Sequence, residues 1–231
     1  MKPPLLIAIV VVVALLAFGL YQGLVVAPTE QTMGDVQRIF YYHVPSAWTA
    51  FLLFFINLVA SVWYLIRRTS AADAVAVTTA EVGVVFCTVV LVTGPIWARP
   101  VWGIWWTWDM RLTSTLVLWL IYVSYLMLRR FSAGGQTPVL AAVLAVFGFA
   151  VVPFVYLSIW FFRTQHPQPV IGGGGSLHPV MLHALLWNWL AFSAFAGLLC
   201  WLRFNLERKQ RDLEETLALE ALMEGVGGKH R

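Results

Sequence analysis

Six apolar stretches, at about Leu5–Val26, Val44–Ile66, Val75–Trp97, Thr113–Leu128, Val139–Phe161 and Val180–Leu202, take up most of this 231-residue chain. A backbone in lipid must satisfy its own hydrogen bonds, and a helix needs roughly 20 apolar residues to cross a hydrocarbon core of about 30 Å. The six stretches meet that demand. Only 11% of the residues are charged, against about 25% in an average soluble domain. We therefore expect an all-α polytopic membrane protein with six transmembrane helices. Little is left over for a soluble domain, so any chemistry belongs within the bundle or on its short loops.

Charge sets the expected orientation. Lys2, Arg67, Arg68, Arg129, Arg130 and the six basic residues from Arg203 to Arg231 make eleven of the fifteen Lys and Arg, and they fall on one side of this arrangement. Basic residues collect on the cytoplasmic side, so both termini are expected there. The net charge of +4 then reflects topology and does not call for nucleic acid. The first span begins like a signal peptide, with Lys2 and two prolines, but its apolar core outruns a signal sequence and we read it as retained. After the sixth span, Asn205–Glu224 mixes charges of both signs with Leu206, Leu213, Leu217 and Leu222. This predicts a cytoplasmic amphipathic C-terminal helix, able to dock a partner subunit or to lie on the membrane surface. The division is thus a membrane domain at 1–203 and a cytoplasmic tail at 204–231. The segments Arg67–Ala74 and Arg129–Pro138 read as plain turns, and Gly172–Gly175 lacks the spacing of a phosphate loop. Cys87 and Cys200 lie inside spans with no C-x-x-C, which fits small buried hydrophobes.

The unusual chemistry lies on the opposite side, in Ala27–His43, Ala98–Leu112 and Phe162–Pro179. Trp102, Trp105, Trp106 and Trp108 occupy four of seven positions, a density beyond ordinary interfacial anchoring, and indoles suit the face of a planar aromatic ligand. His43 precedes the second span and His166 follows the fifth. Two imidazoles on opposite sides of a macrocycle make a six-coordinate haem. Arg38, Arg99, Arg111 and Arg163, the only basic residues on this side, match haem propionates. Plainer roles stay open: interfacial hydrogen bonding for either histidine, a helix cap for Asp109, snorkelling for Arg111. His178 is a competing ligand, and His183 reads as a partner of a neighbouring helix. Glu81, the one carboxylate well inside a span, is open between function and an interhelical hydrogen bond.

The run Trp102-Gly-Ile-Trp-Trp-Thr-Trp-Asp-Met-Arg-Leu-Thr-Ser114 resembles the WWD signature of haem-handling proteins of cytochrome c biogenesis, and size and span number select the heme exporter protein C family of the System I pathway. Tyr41-Tyr42-His43-Val44-Pro45 matches the context of that family's first histidine. Arg163-Thr164-Gln165-His166 matches the second, with Gln165 where leucine is usual, and Met110 stands where alanine is common in the signature. The resemblance implies a bacterial inner membrane location and non-covalent binding of haem b at the outer face. His43 and His166 would be the axial ligands and 98–114 the haem-holding loop. It also implies transfer to a periplasmic haem chaperone, with an ABC-type ATPase subunit, its membrane subunit and a small single-span helper protein as partners. A carrier and not an enzyme is expected, since nucleotide-binding motifs are missing from the sequence. The alternative is a synthase attaching haem directly to apocytochrome c. A b-type electron-transfer cytochrome and a haem-free scaffold are further readings.

Overall fold

The computed structural model describes residues 3–132, 135–169 and 177–227. They form six α-helices: α1 (Pro3–Tyr21), α2 (Phe40–Arg67), α3 (Ser70–Trp102), α4 (Met110–Phe131), α5 (Thr137–Phe161) and α6 (Pro179–Gly227). A π-helical turn, Gln22–Val26, prolongs α1, and a 3-10 turn, Asp35–Ile39, leads into α2. Six helices are long and apolar enough to cross a membrane, and large apolar side chains such as Ile7, Phe55 and Phe147 point outward. Lipid is the solvent that tolerates such a surface. The chain is a multi-pass all-α membrane protein, as its hydropathy predicts. The Gly172–Gly175 run lies outside the described residues.

α2 is the central helix, packed against α3, α5 and α6. Its buried residues, among them Ala50, Leu53, Phe54, Asn57 and Ser61, recur every three or four positions and so share a face. α3 meets that face with small residues: Ala76 and Ala80 are buried, and a Cβ on Gly83 would lie 2.7 Å from Phe54 Cε1. In lipid, where burial of apolar surface drives little, such close approach is what holds helices together. Phe54 in turn stacks on Tyr122 of α4 with ring centroids 3.8 Å apart, and Asn57 Nδ2 donates to the Ala76 carbonyl at 2.7 Å. At the flank, Asn188 Nδ2 of α6 donates to the Gly19 carbonyl of α1 at 2.9 Å.

Several boundaries differ from the sequence expectation. α2 begins at Phe40, which places His43 in its first turn instead of in the preceding loop. α3 runs through Pro95 and Pro100 to Trp102, so Arg99 and Trp102 are helical and the expected 98–112 loop shrinks to 103–109. Proline is tolerated in membrane helices because neighbouring groups re-satisfy the freed carbonyls. Gly103, at φ +79°, then ends the helix in the left-handed region. The tail is no separate element: α6 continues unbroken through 203–204, with Leu206, Leu213, Leu217 and Leu222 exposed.

The turns that read as plain connectors hold the main ionic structure. Arg129 donates to both carboxylate oxygens of Asp73, at 2.7 and 2.6 Å, and Arg211 reaches the same carboxylate at 2.7 Å. Glu207 bridges Arg211 and Arg203 at 2.8 Å each, and Arg203 holds Glu81 at 2.5 Å. Three arginines and three carboxylates therefore form one neutral ladder joining α3, α4 and α6. Glu81 is its last rung. Asp73 is the most sheltered, its side chain 5% exposed, because its helix start is covered by the arginines of two other helices.

Candidate functional site

At the other end of the bundle lies a cavity of about 1020 Å³, walled by α2 to α6 and by the loop at Pro28–Met33. That loop is a built wall. Glu30 Oε2 accepts from the Thr32 and Met33 amides at 2.8 and 2.5 Å, which holds this exposed carboxyl below its ordinary pKa. Arg38 clamps the loop's base, donating to the Gly23 and Ala27 carbonyls, Thr29 Oγ1 and Asp35. Its guanidinium is spent on the chain's own backbone, and it is not among the residues facing the cavity.

His43 and His166 both face the cavity, with ring centroids 6.5 Å apart and planes inclined at 34°. Each ring is fixed through Nδ1. Thr93 Oγ1 on α3 spends its only proton on the Val89 carbonyl at 2.7 Å. With its proton so placed, it accepts from His43 Nδ1–H, which lies 2.8 Å away. His166 Nδ1 lies 2.9 Å from the Pro167 carbonyl, which can only accept. Both rings are thus Nδ1–H tautomers with an Nε2 lone pair, and neither Nε2 has a protein partner among the described residues. Burial, reinforced by the charge of Arg111, pushes the His166 imidazole down to about 4, so it is neutral at ordinary pH.

The remaining candidates divide. Trp102 and Trp106 line the cavity, and Trp106 Nε1 is a buried donor without a partner among the described residues. Trp105 and Trp108 are exposed and stand away from it, although Trp108 packs edge-on against Trp106 at 5.9 Å. Arg111 lines the cavity while donating to the Val155 and Tyr156 carbonyls at 3.2 and 3.4 Å. Arg99 donates to the Gly103 carbonyl where α3 ends, and Arg163 is exposed; neither reaches the cavity. Asp109 caps α4, its Oδ1 accepting from the Arg111 and Leu112 amides at 3.0 Å. His178 faces the cavity, but its Nδ1 accepts from the Val180 amide at 3.3 Å at the start of α6. His183 is exposed on the outer face of α6 beside Leu186 and Trp187, not bonded to a neighbouring helix as its position suggested.

Sequence reading missed Trp48, Trp97 and Trp189, which also line the cavity, because Trp97 at a span end looks like an interfacial anchor and Trp48 and Trp189 within spans look like ordinary apolar residues. It also missed Thr93. Nothing in local spacing links Thr93 to a histidine 50 positions earlier.

An iron bound between two imidazole nitrogens at about 2.0–2.1 Å, with ring centres about 1.1 Å beyond each nitrogen, sets those centres about 6.3 Å apart. The observed 6.5 Å suits such an ion. Two imidazoles would supply two of six ligands and a porphyrin the other four, and the tryptophan-lined volume suits a flat apolar body.

The family model for Heme exporter protein C matches residues 2–218 of this chain. The chain belongs to the heme exporter protein C family. Heme exporter protein C of Bradyrhizobium diazoefficiens is 37% identical over 184 residues, covering 78% of this chain and 70% of the relative. The protein of the same name in Escherichia coli (strain K12) is 33% identical over 204 residues, covering 88% and 82%. A ccmC-like mitochondrial protein of Marchantia polymorpha, named for cytochrome c biosynthesis, is 32% identical over 197 residues, covering 85% and 82%. The family model spans all six membrane helices and both candidate ligand histidines.

Proposed function

We propose that this chain handles haem in cytochrome c biogenesis, holding haem b non-covalently in the cavity between His43 and His166. The observation that carries this reading is the histidine pair: 6.5 Å between ring centroids, both Nδ1 atoms engaged and both residues lining a large tryptophan-lined space. Arg111 and Trp106 Nε1 are the donors available for a propionate at that site. The cavity end faces the periplasm and both termini the cytoplasm, as the distribution of Lys and Arg favours. The membrane domain at 1–203 carries the haem site, with Trp102, Trp106 and Arg111 of 98–114 at its wall. The tail at 204–231 serves the cytoplasmic side.

The chain acts as a carrier. It presents haem to a periplasmic haem chaperone within an ABC-type complex, beside an ATPase subunit, its membrane partner and a small single-span helper. Transfer is then an exchange of axial ligands and needs no bond made by the chain itself. The test is an optical and EPR spectrum of detergent-purified protein expressed with haem supply. A low-spin bis-imidazole signal, lost or turned high-spin in His43→Ala and in His166→Ala, is expected. Unchanged haem in both variants would overturn the site. Thioether formation on a C-x-x-C-H peptide without any chaperone would replace the carrier reading with a synthase.

A further inference from the structure

We infer that Thr93 is a positioning residue for haem: it fixes the tautomer and plane of the His43 imidazole and makes His43 the retained ligand when haem is handed on. This rests on the haem-binding reading above. The observations are geometric. His43 stands in the first turn of α2, where its backbone is held by the helix, and its Nδ1–H is held by Thr93 Oγ1 at 2.8 Å from a second helix, α3. The Thr93 hydroxyl is itself oriented, since its proton goes to the Val89 carbonyl at 2.7 Å. α2 and α3 share the most extensive helix seam of the fold, so the ring and its anchor move as one body. His166 is held otherwise. It lies in the loop after α5, and among the described residues its ring is anchored by the carbonyl of its own neighbour, Pro167, at 2.9 Å. Ring and anchor therefore both belong to that one loop.

The identity of the anchor has a chemical consequence. The second partner of a ligating imidazole sets its orientation and its basicity, and losing it typically lowers metal affinity about 10- to 100-fold. A carboxylate there would pull strongly on the Nδ1 proton and tighten the iron bond. A hydroxyl whose own proton is already donated is a neutral acceptor: it orients the ring without adding charge. Such a ligand is strong enough to keep haem while the partner ligand is exchanged, and still releases it. Thr93 therefore serves a carrier better than an aspartate would.

The experiment uses the full chain in nanodiscs with ferric haem, comparing wild type, Thr93→Ser, Thr93→Val and His43→Ala. Thr93→Ser keeps the hydroxyl and is expected to match wild type in haem affinity, EPR g values and midpoint potential. Thr93→Val keeps the shape and removes the acceptor. It is expected to lose affinity about tenfold, to shift the low-spin g values, and to raise the midpoint potential, because a less basic imidazole stabilises ferric iron less. Rescue by serine separates this role from packing, and an unchanged elution profile and melting temperature confirm an intact bundle. Low-spin haem that is indifferent to Thr93→Val overturns this inference alone. Wild type that binds no low-spin haem overturns the haem-binding reading with it, and His43→Ala, which must lose the signal if the site is right, tells the two failures apart.

Discussion

The two ends of this bundle differ in the polar chemistry they carry, ion pairs at one and ring nitrogens beside a cavity at the other. At the Asp73 end, Arg129, Asp73, Arg211, Glu207, Arg203 and Glu81 consume one another in a continuous ladder. At the His43 end each histidine has its Nδ1 bonded, and among the described residues neither Nε2 nor Trp106 Nε1 has a protein partner. Charge that is fully paired in a low-dielectric setting locks helices in place. Donors and lone pairs left open around a large cavity are groups reserved for something that comes and goes. The difference suggests that one end supplies rigidity so that the other can be spared from self-satisfaction.

The largest effect should follow from breaking the lock. Asp73→Ala leaves the Arg129 and Arg211 guanidinium groups facing each other without their shared carboxylate. Breaking a buried pair in this way costs about 3–5 kcal/mol, to be read as a large drop in melting temperature in detergent. His43→Ala removes a half-buried ring beside an existing cavity and should shift stability by less than about 1 kcal/mol while abolishing the low-spin haem signal. Should His43→Ala unfold the chain as readily as Asp73→Ala, the division of labour between the ends fails.

Next in size is the seam that joins the ends. Gly83→Ala puts a Cβ 2.7 Å from Phe54 Cε1, and Phe54 cannot retreat because it stacks on Tyr122 at 3.8 Å. Overpacking of this kind costs about 1–3 kcal/mol, partly offset by alanine's better helix propensity. Because α2 carries His43 and α3 carries Thr93, the variant should also weaken haem retention. Thermal melting and haem titration on the same sample check whether the two losses travel together.

Much of this could be seen in the residues before folding. Hydropathy alone marks six spans, because lipid imposes one length on every crossing helix. The two candidate histidines stood out from their setting, one just before the second span and one just after the fifth, on the side with few basic groups, and the fold brings both to one cavity. What spacing could not show is which arginine belongs to the cavity. Arg38, Arg99, Arg111 and Arg163 look alike in sequence, and only the fold spends Arg38 on four partners of its own loop while aiming Arg111 at the cavity wall. The ladder was hidden for the same reason. Asp73 meets Arg129 and Arg211 across 56 and 138 residues, and it looked like a turn residue because helix ends are where charges are expected anyway. Helix continuation past Trp97 was hidden by Pro95 and Pro100, which in water would have ended it.

The tryptophan cluster sharpens the comparison within the open end. Trp106 lines the cavity whereas Trp108 is 76% exposed. An aromatic contact adds about 0.5–1.5 kcal/mol beyond area, so Trp106→Ala should lower haem affinity up to about tenfold, with a smaller change for Trp108→Ala. Equal losses in a haem titration would mean that both indoles reach the ligand and that the cavity closes around it from the loop side.

The smallest effect should come from the last rung of the ladder. Glu81 is 33% exposed and its partner Arg203 is 30% exposed, so solvent and lipid headgroups screen the pair in a way they do not screen Asp73. Arg203 also keeps a second carboxylate, Glu207, at 2.8 Å. Glu81→Gln therefore leaves no buried charge unpaired, and the glutamine can still accept from Arg203. A cost below about 1 kcal/mol follows, against several for Asp73→Ala, although both residues lie on α3 and both bind arginines of α6. A melting curve for Glu81→Gln that falls as far as that of Asp73→Ala would show that the ladder acts as one cooperative unit. A small shift means that its strength is concentrated where Asp73 is sheltered, between Arg129 of α4 and Arg211 of α6.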